Sequence, residues 1–220
     1  MRAQSAQRLA FIAVCALTGL IAGCQTTQRP PENVVAVESM RTVSAKAEEG
    51  KLAVNRVNAA LDKLSAGGDM QAAFTEYTSS VEDLEKLGED AAARSEDMQT
   101  RRKLYLERWQ KETDELESPE IQQAMTVRRH YIIKEFETVK RHADEVRDAF
   151  KPYLHENENI QKALMVDLTA AGVDGLQNVF KDCKADGMVL NDKLDAYNAA
   201  LKALISRMSP STAPASRRSP

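Results

Sequence analysis

Three cysteines and three histidines are the side chains of this 220-residue chain best equipped for chemistry, and their positions limit what each can do. Cys183 stands alone in the body of the chain, with Asp182 beside it to oppose a thiolate. A reactive thiol needs an electropositive, partly exposed setting. Cys183 falls instead on an apolar helical stripe, which predicts a buried structural thiol. His130, His142 and His155 join no His/Cys/Asp/Glu set with metal-ligand spacing. His142, with Asp144 and Glu145, reads as a solvated helix face. Acid-rich runs occur at residues 82–90 (EDLEKLGED) and 112–120 (ETDELESPE). Paired carboxylates can cleave glycosidic bonds, but without a cleft-forming fold these runs read as charged helix surface. No Gly-rich phosphate loop follows a strand, and no local Ser/His/Asp signature is present. The expectation is a chain that is not an enzyme and uses no cofactor or metal.

Cys24 has a different setting. Arg2 and Arg8 give the chain a positive start, with no acidic residue before Cys24. Residues 9–24 (LAFIAVCALTGLIAGC) are almost wholly apolar or small. Sixteen residues make roughly 24 Å of helix, against the ~30 Å of a bilayer core. The run is short for a membrane span and fits the apolar part of a cleavable signal. Cys15 lies inside it and would leave with it.

Ile21-Ala22-Gly23-Cys24 resembles the bacterial lipobox. That resemblance implies a diacylglycerol on the Cys24 thiol and cleavage between Gly23 and Cys24, making residues 1–23 a lipoprotein signal peptide. The residue types suit the chemistry: Ala22 and Gly23 let an enzyme reach the backbone, and the thiol is a soft nucleophile. More than one acyl chain is needed for a stable anchor, because one alone binds only marginally. Gln25 follows the cysteine where an aspartate would favour retention in the inner membrane, so the outer membrane is the expected address.

Composition bounds what stands on that anchor. Residues 24–220 keep 28 Lys plus Arg against 33 Asp plus Glu, a net of −5 with the signs intermixed. That argues against nucleic-acid binding, which wants a basic face. With Cys183 the only cysteine besides Cys24, the body has no internal disulfide. Glycine and proline are scarce and aromatics make up 5% of residues, while Ala, Glu, Lys and Leu dominate, the composition of long helices.

The elements that position these residues follow from the apolar spacing. Residues 24–33 read as a lipidated polar linker stiffened by Pro30 and Pro31, and residues 34–208 as one helical coiled-coil domain. A first helix is expected over 34–65, with Met40, Val43, Ala47, Gly50, Val54, Val57, Leu61 and Leu64 recurring in steps of three and four. Gly67 and Gly68 should end it, and Asp69 should cap the next. The second helix spans 70–117, and its stripe weakens at Gly88, Ser95 and Arg102, which predicts looser packing or a bend there. Ser118 and Pro119 start a third helix, whose stripe opens with Ile121 and Met125. It should stop near 151 or kink there, because Pro152 removes a donor. A separate segment over 156–168, a break at 169–175 and a last helix to 208 follow. Residues 209–220 read as a disordered tail by composition. The fold class is all-α, an elongated antiparallel helical bundle, the alternative being an open rod paired with another copy.

Two basic clusters, residues 100–109 and 127–130, are most simply helix decoration. Tyr105 and Trp109, four apart on the weak half of a seam, read first as core; if exposed, they and Arg102, one turn earlier, are the first candidates for a partner contact.

Landmarks in one order carry a wider resemblance: the lipobox, Gly67-Gly68-Asp69 before a helix with Tyr77, Trp109 with Glu112, then Phe150, Pro152 and Leu154. The chain resembles an uncharacterised family of bacterial coiled-coil lipoproteins. It departs from that pattern at residues 169–173 (TAAGV), where the family has an Asn-rich break. The resemblance implies no catalytic residue. The functional expectation is a membrane-anchored, non-enzymatic scaffold or interaction arm. Its partners would be membrane lipid through acylated Cys24, and another envelope protein or a second copy. The alternative is a bundle that opens at its weak seam to carry an apolar ligand such as a lipid.

Overall fold

The computed structural model describes residues 31–209. The signal segment, the Gly23–Cys24 junction, the linker up to residue 30 and the tail from residue 210 lie outside the described residues. Five helices fill the rest: α1 (Glu32–Ala66), α2 (Met70–Asp114), α3 (Pro119–Val166), α4 (Ala170–Gly175) and α5 (Gln177–Met208).

The helix ends follow local chemistry. Gly67 and Gly68 take φ of 76° and 98° and turn the chain out of α1. Asp69 Oδ1 accepts the Ala72 N–H at 3.0 Å, and Ser118 Oγ accepts that of Ile121 at 3.4 Å, with Pro119 in the first turn. Thr169 Oγ1 caps α4 through Gly172 N–H at 3.2 Å.

Four long helices close into an antiparallel bundle. Each has two neighbours, in the cyclic order α1, α2, α3, α5. Glu32 meets Arg108 while Lys63 meets Glu76, so α1 and α2 run in opposite directions. Lys51–Asp195 and Lys184–Asp62 set the same relation between α1 and α5. The face that α1 buries is wider than a single seam. Ala36, Val37, Ala53 and Ala60 join the expected Met40, Val54, Val57, Leu61 and Leu64, because the helix packs on both α2 and α5. The stripe of α5 from Phe180 to Met208 is buried throughout as its spacing predicts, Cys183 and Gly187 included. Each fully buried large apolar side chain in such a seam contributes about 1.5–3 kcal/mol.

Three sequence expectations need correction. Helix α1 begins at Glu32, two residues inside the expected linker. Pro152 does not end α3, which continues unbroken to Val166, so no separate 156–168 segment exists. An interior proline costs about 3 kcal/mol. Here Pro152 is exposed, while Tyr153, Asn157, Ile160 and Leu164 after it are buried on one face. Those four contacts outweigh one missing hydrogen bond. Finally, most of residues 169–175 form the short helix α4 rather than a break.

The weak stripe of α2 is also resolved by its neighbours. A Cβ on Gly88 would stand 2.4 Å from Phe150 Cζ, so the glycine makes room for an aromatic ring. The Arg102 guanidinium lies over Phe136, 5.5 Å from the ring centroid. Large rings of α3 therefore fill what small or polar residues of α2 leave open.

Candidate functional site

The four helices are unequal in length, and the candidate site follows from that. Arg108 Nη1 meets Glu32 Oε1 at 3.3 Å, level with the start of α1. Helix α2 runs on for six more residues to Asp114, roughly 9 Å beyond. On the other side Arg128 Nη2 donates to the Arg207 carbonyl at 2.7 Å, near the end of α5. Helix α3 starts nine residues earlier, at Pro119, roughly 14 Å farther out. The α2–α3 hairpin thus projects past the end of the bundle, with neither α1 nor α5 opposite its tip.

This geometry explains a further correction. Ile121 and Met125 begin the α3 stripe but are exposed, at 54% and 37%. The helices that would cover them have already ended. Below them a groove of about 510 Å³ opens between the start of α1 and the hairpin. Tyr105, Trp109 and Thr113 of α2, with Leu116 of the α2–α3 turn, form one wall, Met125 of α3 another, and Pro31 and Asn33 line it from the start of α1. Asn33 Nδ2 donates to the Met208 carbonyl at 3.3 Å, so the chain leaves α5 beside the same end of α1.

Two of the three predicted contact residues meet here. The Tyr105 and Trp109 rings are 5.4 Å apart at 57°, both half-buried against the core. Trp109 Nε1 and Thr113 Oγ1 are buried and have no hydrogen-bond partner. Each such group costs about 1–3 kcal/mol unless something supplies a partner. Burial pushes the Tyr105 hydroxyl up to about 12, with Arg128 opposing. Arg102 belongs elsewhere: it stacks on Phe136 and bonds Gln99 Oε1 at 3.2 Å inside the bundle. The basic clusters are spent on the helices' own contacts, as with Arg101–Asp97, Arg108–Glu112 and Arg129 Nε to the Leu106 carbonyl.

The sequence reading missed a polar knot near the other end. Tyr77 of α2 donates to Asn157 Oδ1 of α3 at 2.9 Å. Tyr153, one turn before, donates to Asn58 Oδ1 of α1 at 2.8 Å, and Asn58 Nδ2 reaches the Lys184 carbonyl of α5 at 3.4 Å. All four helices are tied at this level. Cys183 lies beside the knot, 1% exposed, its thiol pushed up to about 12 by burial and then by Glu156 and Asp186. That environment makes a proton-holding thiol, not a nucleophile. Asn157 escaped notice because a lone asparagine amid apolar seam residues carries no periodic signal.

Among the described residues no group of three or more His, Cys, Asp or Glu is placed to hold a metal ion. None of their helices is long and apolar enough to cross a membrane. The fold is that of an all-α helical-bundle protein with a groove at one end. Comparison with protein-family models, characterised proteins and solved structures finds no match to this chain.

Proposed function

We propose that this chain is a lipid-anchored, non-enzymatic protein of the bacterial cell envelope, a stiff helical arm that presents an interaction surface to another envelope protein or a second copy. One observation carries the reading. Only seven residues separate Cys24 from Glu32, where a closed four-helix body begins. A chain tethered at Cys24 therefore stands on the membrane by the end that carries the groove. The long helices then hold the α1–α2 turn and α4 roughly 60–70 Å away. The lipobox residues Ile21 to Cys24 and the resemblance to uncharacterised coiled-coil lipoproteins support the same reading, and Gln25 favours the outer membrane. The lipid-carrier alternative loses its motive where Phe150 and Phe136 fill the seam at Gly88 and Arg102.

The test is mass spectrometry of the mature amino-terminal peptide from membrane-purified protein. The expected product begins at Cys24 and carries the mass of a diacylglyceryl group, with or without a further acyl chain. A peptide that begins elsewhere, or an unmodified Cys24, would overturn the proposal.

A further inference from the structure

Three of the four seams between neighbouring long helices are laced by ion pairs. Lys46–Asp90 and Lys63–Glu76 join α1 to α2, Lys184–Asp62 and Lys202–Glu48 join α1 to α5, and Glu145–Lys193 joins α3 to α5. Among the described residues no ion pair joins α2 to α3, where Lys140 and Arg147 turn instead to Asp144 of their own helix. The charges for such a lacing are nevertheless present. Gly88 lies against Phe150 and Arg102 against Phe136, which sets the two helices in register. On that register Glu85, Glu89 and Glu96 of α2 stand level with Lys151, Arg147 and Lys140 of α3, and Asp144 stands level with the uncharged Ala92. Each row keeps to one side of its helix, with one step of four and one of seven. Arg129, three turns before Lys140, marks that side of α3 as the one next to α2, because its Nε donates to the Leu106 carbonyl.

All six side chains are exposed. The rings of Phe136 and Phe150 stand between the helices and hold the rows apart. The inward residues Ala91 and Ser95 of α2 and Ala143 and Val146 of α3 are accordingly only half-buried, while Ala47 and Leu194 across the core are buried. A second copy fits this face. A twofold axis parallel to the helices sets α2 of each copy against α3 of the other, level by level, so that each acidic row meets a basic one. A twofold axis across the helices would set α2 on α2 and α3 on α3, like charge on like. The first arrangement also brings both chain entries to the same end, as two anchors in one membrane require. From Glu85 to Lys103 the face is roughly 27 Å long and two helices of about 10 Å wide, so pairing covers roughly 540 Å² on each copy. The sum just clears the ~1,000 Å² of a specific interface. An interface of that size suits copies already concentrated on one surface.

We propose that the α2–α3 face is a self-association surface, closed in a parallel dimer by Glu85, Glu89 and Glu96 of each copy on Lys151, Arg147 and Lys140 of the other. This names the partner of the interaction arm, and it rests on the anchoring proposal for the shared orientation of the two copies.

The test is native mass spectrometry of the full-length protein extracted from membranes in detergent, beside the E85K/E89K/E96K and K140E/R147E/K151E variants, with helix content checked by circular dichroism. The wild type is expected as a dimer that ~1 M salt, where the Debye length is about 3 Å, shifts towards monomer. Each reversal alone sets like charge on like and is expected to weaken pairing about tenfold or more. An equimolar mixture of the two variants, one of them isotope-labelled, should recover the pairing as a heterodimer. A monomeric wild type would overturn the proposal, as would reversal variants that pair as the wild type does. So would two monomeric variants that do not combine on mixing, which would mean that the rows meet within one chain. The same spectra report the acyl mass on Cys24: an acylated monomer overturns the pairing alone, and an unmodified dimer overturns the anchor alone.

Discussion

Asn157 is fully buried, and its amide serves two helices at once: Oδ1 and the backbone carbonyl both accept from Tyr77, and Nδ2 donates to the Tyr153 carbonyl. Asn157→Ala removes two of these three bonds and leaves a small cavity. The expected loss is about 2–3 kcal/mol of stability, read from the midpoint of denaturant unfolding. Tyr77→Phe in the same background should cost less than it does in the wild type, because its partner is already gone. Simple additivity would contradict the coupling. The same level of the bundle governs alkaline behaviour. Burial raises the Cys183 thiol from 9.0 to about 12 and raises the hydroxyls of Tyr77 and Tyr153 further still. The folded state thus binds protons that the unfolded state releases. Its stability is whole below pH 9 and falls as the pH climbs from there towards 12, by about 1.4 kcal/mol per pH unit for each group engaged. An unfolding midpoint that stays level from pH 8 to 11 would contradict this. Cys183 should also resist thiol reagents at pH 8 until denaturant is added.

Among elements, α3 is the instructive case. A proline predicts a stop, and both halves of the helix carry apolar stripes that look independent. The stripe after Pro152 is in phase with the bundle, however, and Tyr153, Asn157, Ile160 and Leu164 all bury on the same side. Spacing within one helix shows its own period; whether two runs are in phase with a common core is a property of the neighbours. Pro152→Ala should therefore stabilise the protein by about 1–2 kcal/mol, since it restores a donor to the helix ladder without disturbing a buried contact. A destabilised variant would mean that the ring itself has a packing role. The other elements were largely legible. The two glycines with Asp69, the Ser118–Pro119 start and the α5 stripe each carry their signal locally. Gly88 illustrates the limit: a glycine in a seam reads as weakness until Phe150 from another helix is seen to need the space. The groove was half legible. Tyr105 and Trp109 announce themselves by spacing, but the projecting hairpin that leaves Ile121 and Met125 exposed does not. The meeting of that hairpin with Asn33 and Met208 needs the fold.

For the whole molecule, the consequence of a closed bundle is polarity. The chain enters and leaves at one end, so a single attachment point orients the entire body. Its long helices bury their stripes against one another. In the proposed reading, function rests on where the arm is fixed and on which surfaces it lifts away from the membrane. The claim on which this depends is the covalent anchor at Cys24, and Cys24→Ser tests it most directly. The wild-type protein is expected in the detergent phase of a phase-separation extraction, trimmed to begin at residue 24. The serine variant is expected to keep its uncleaved leader. Maturation at the same bond, with the serine protein still partitioning into detergent as the wild type does, would contradict the account.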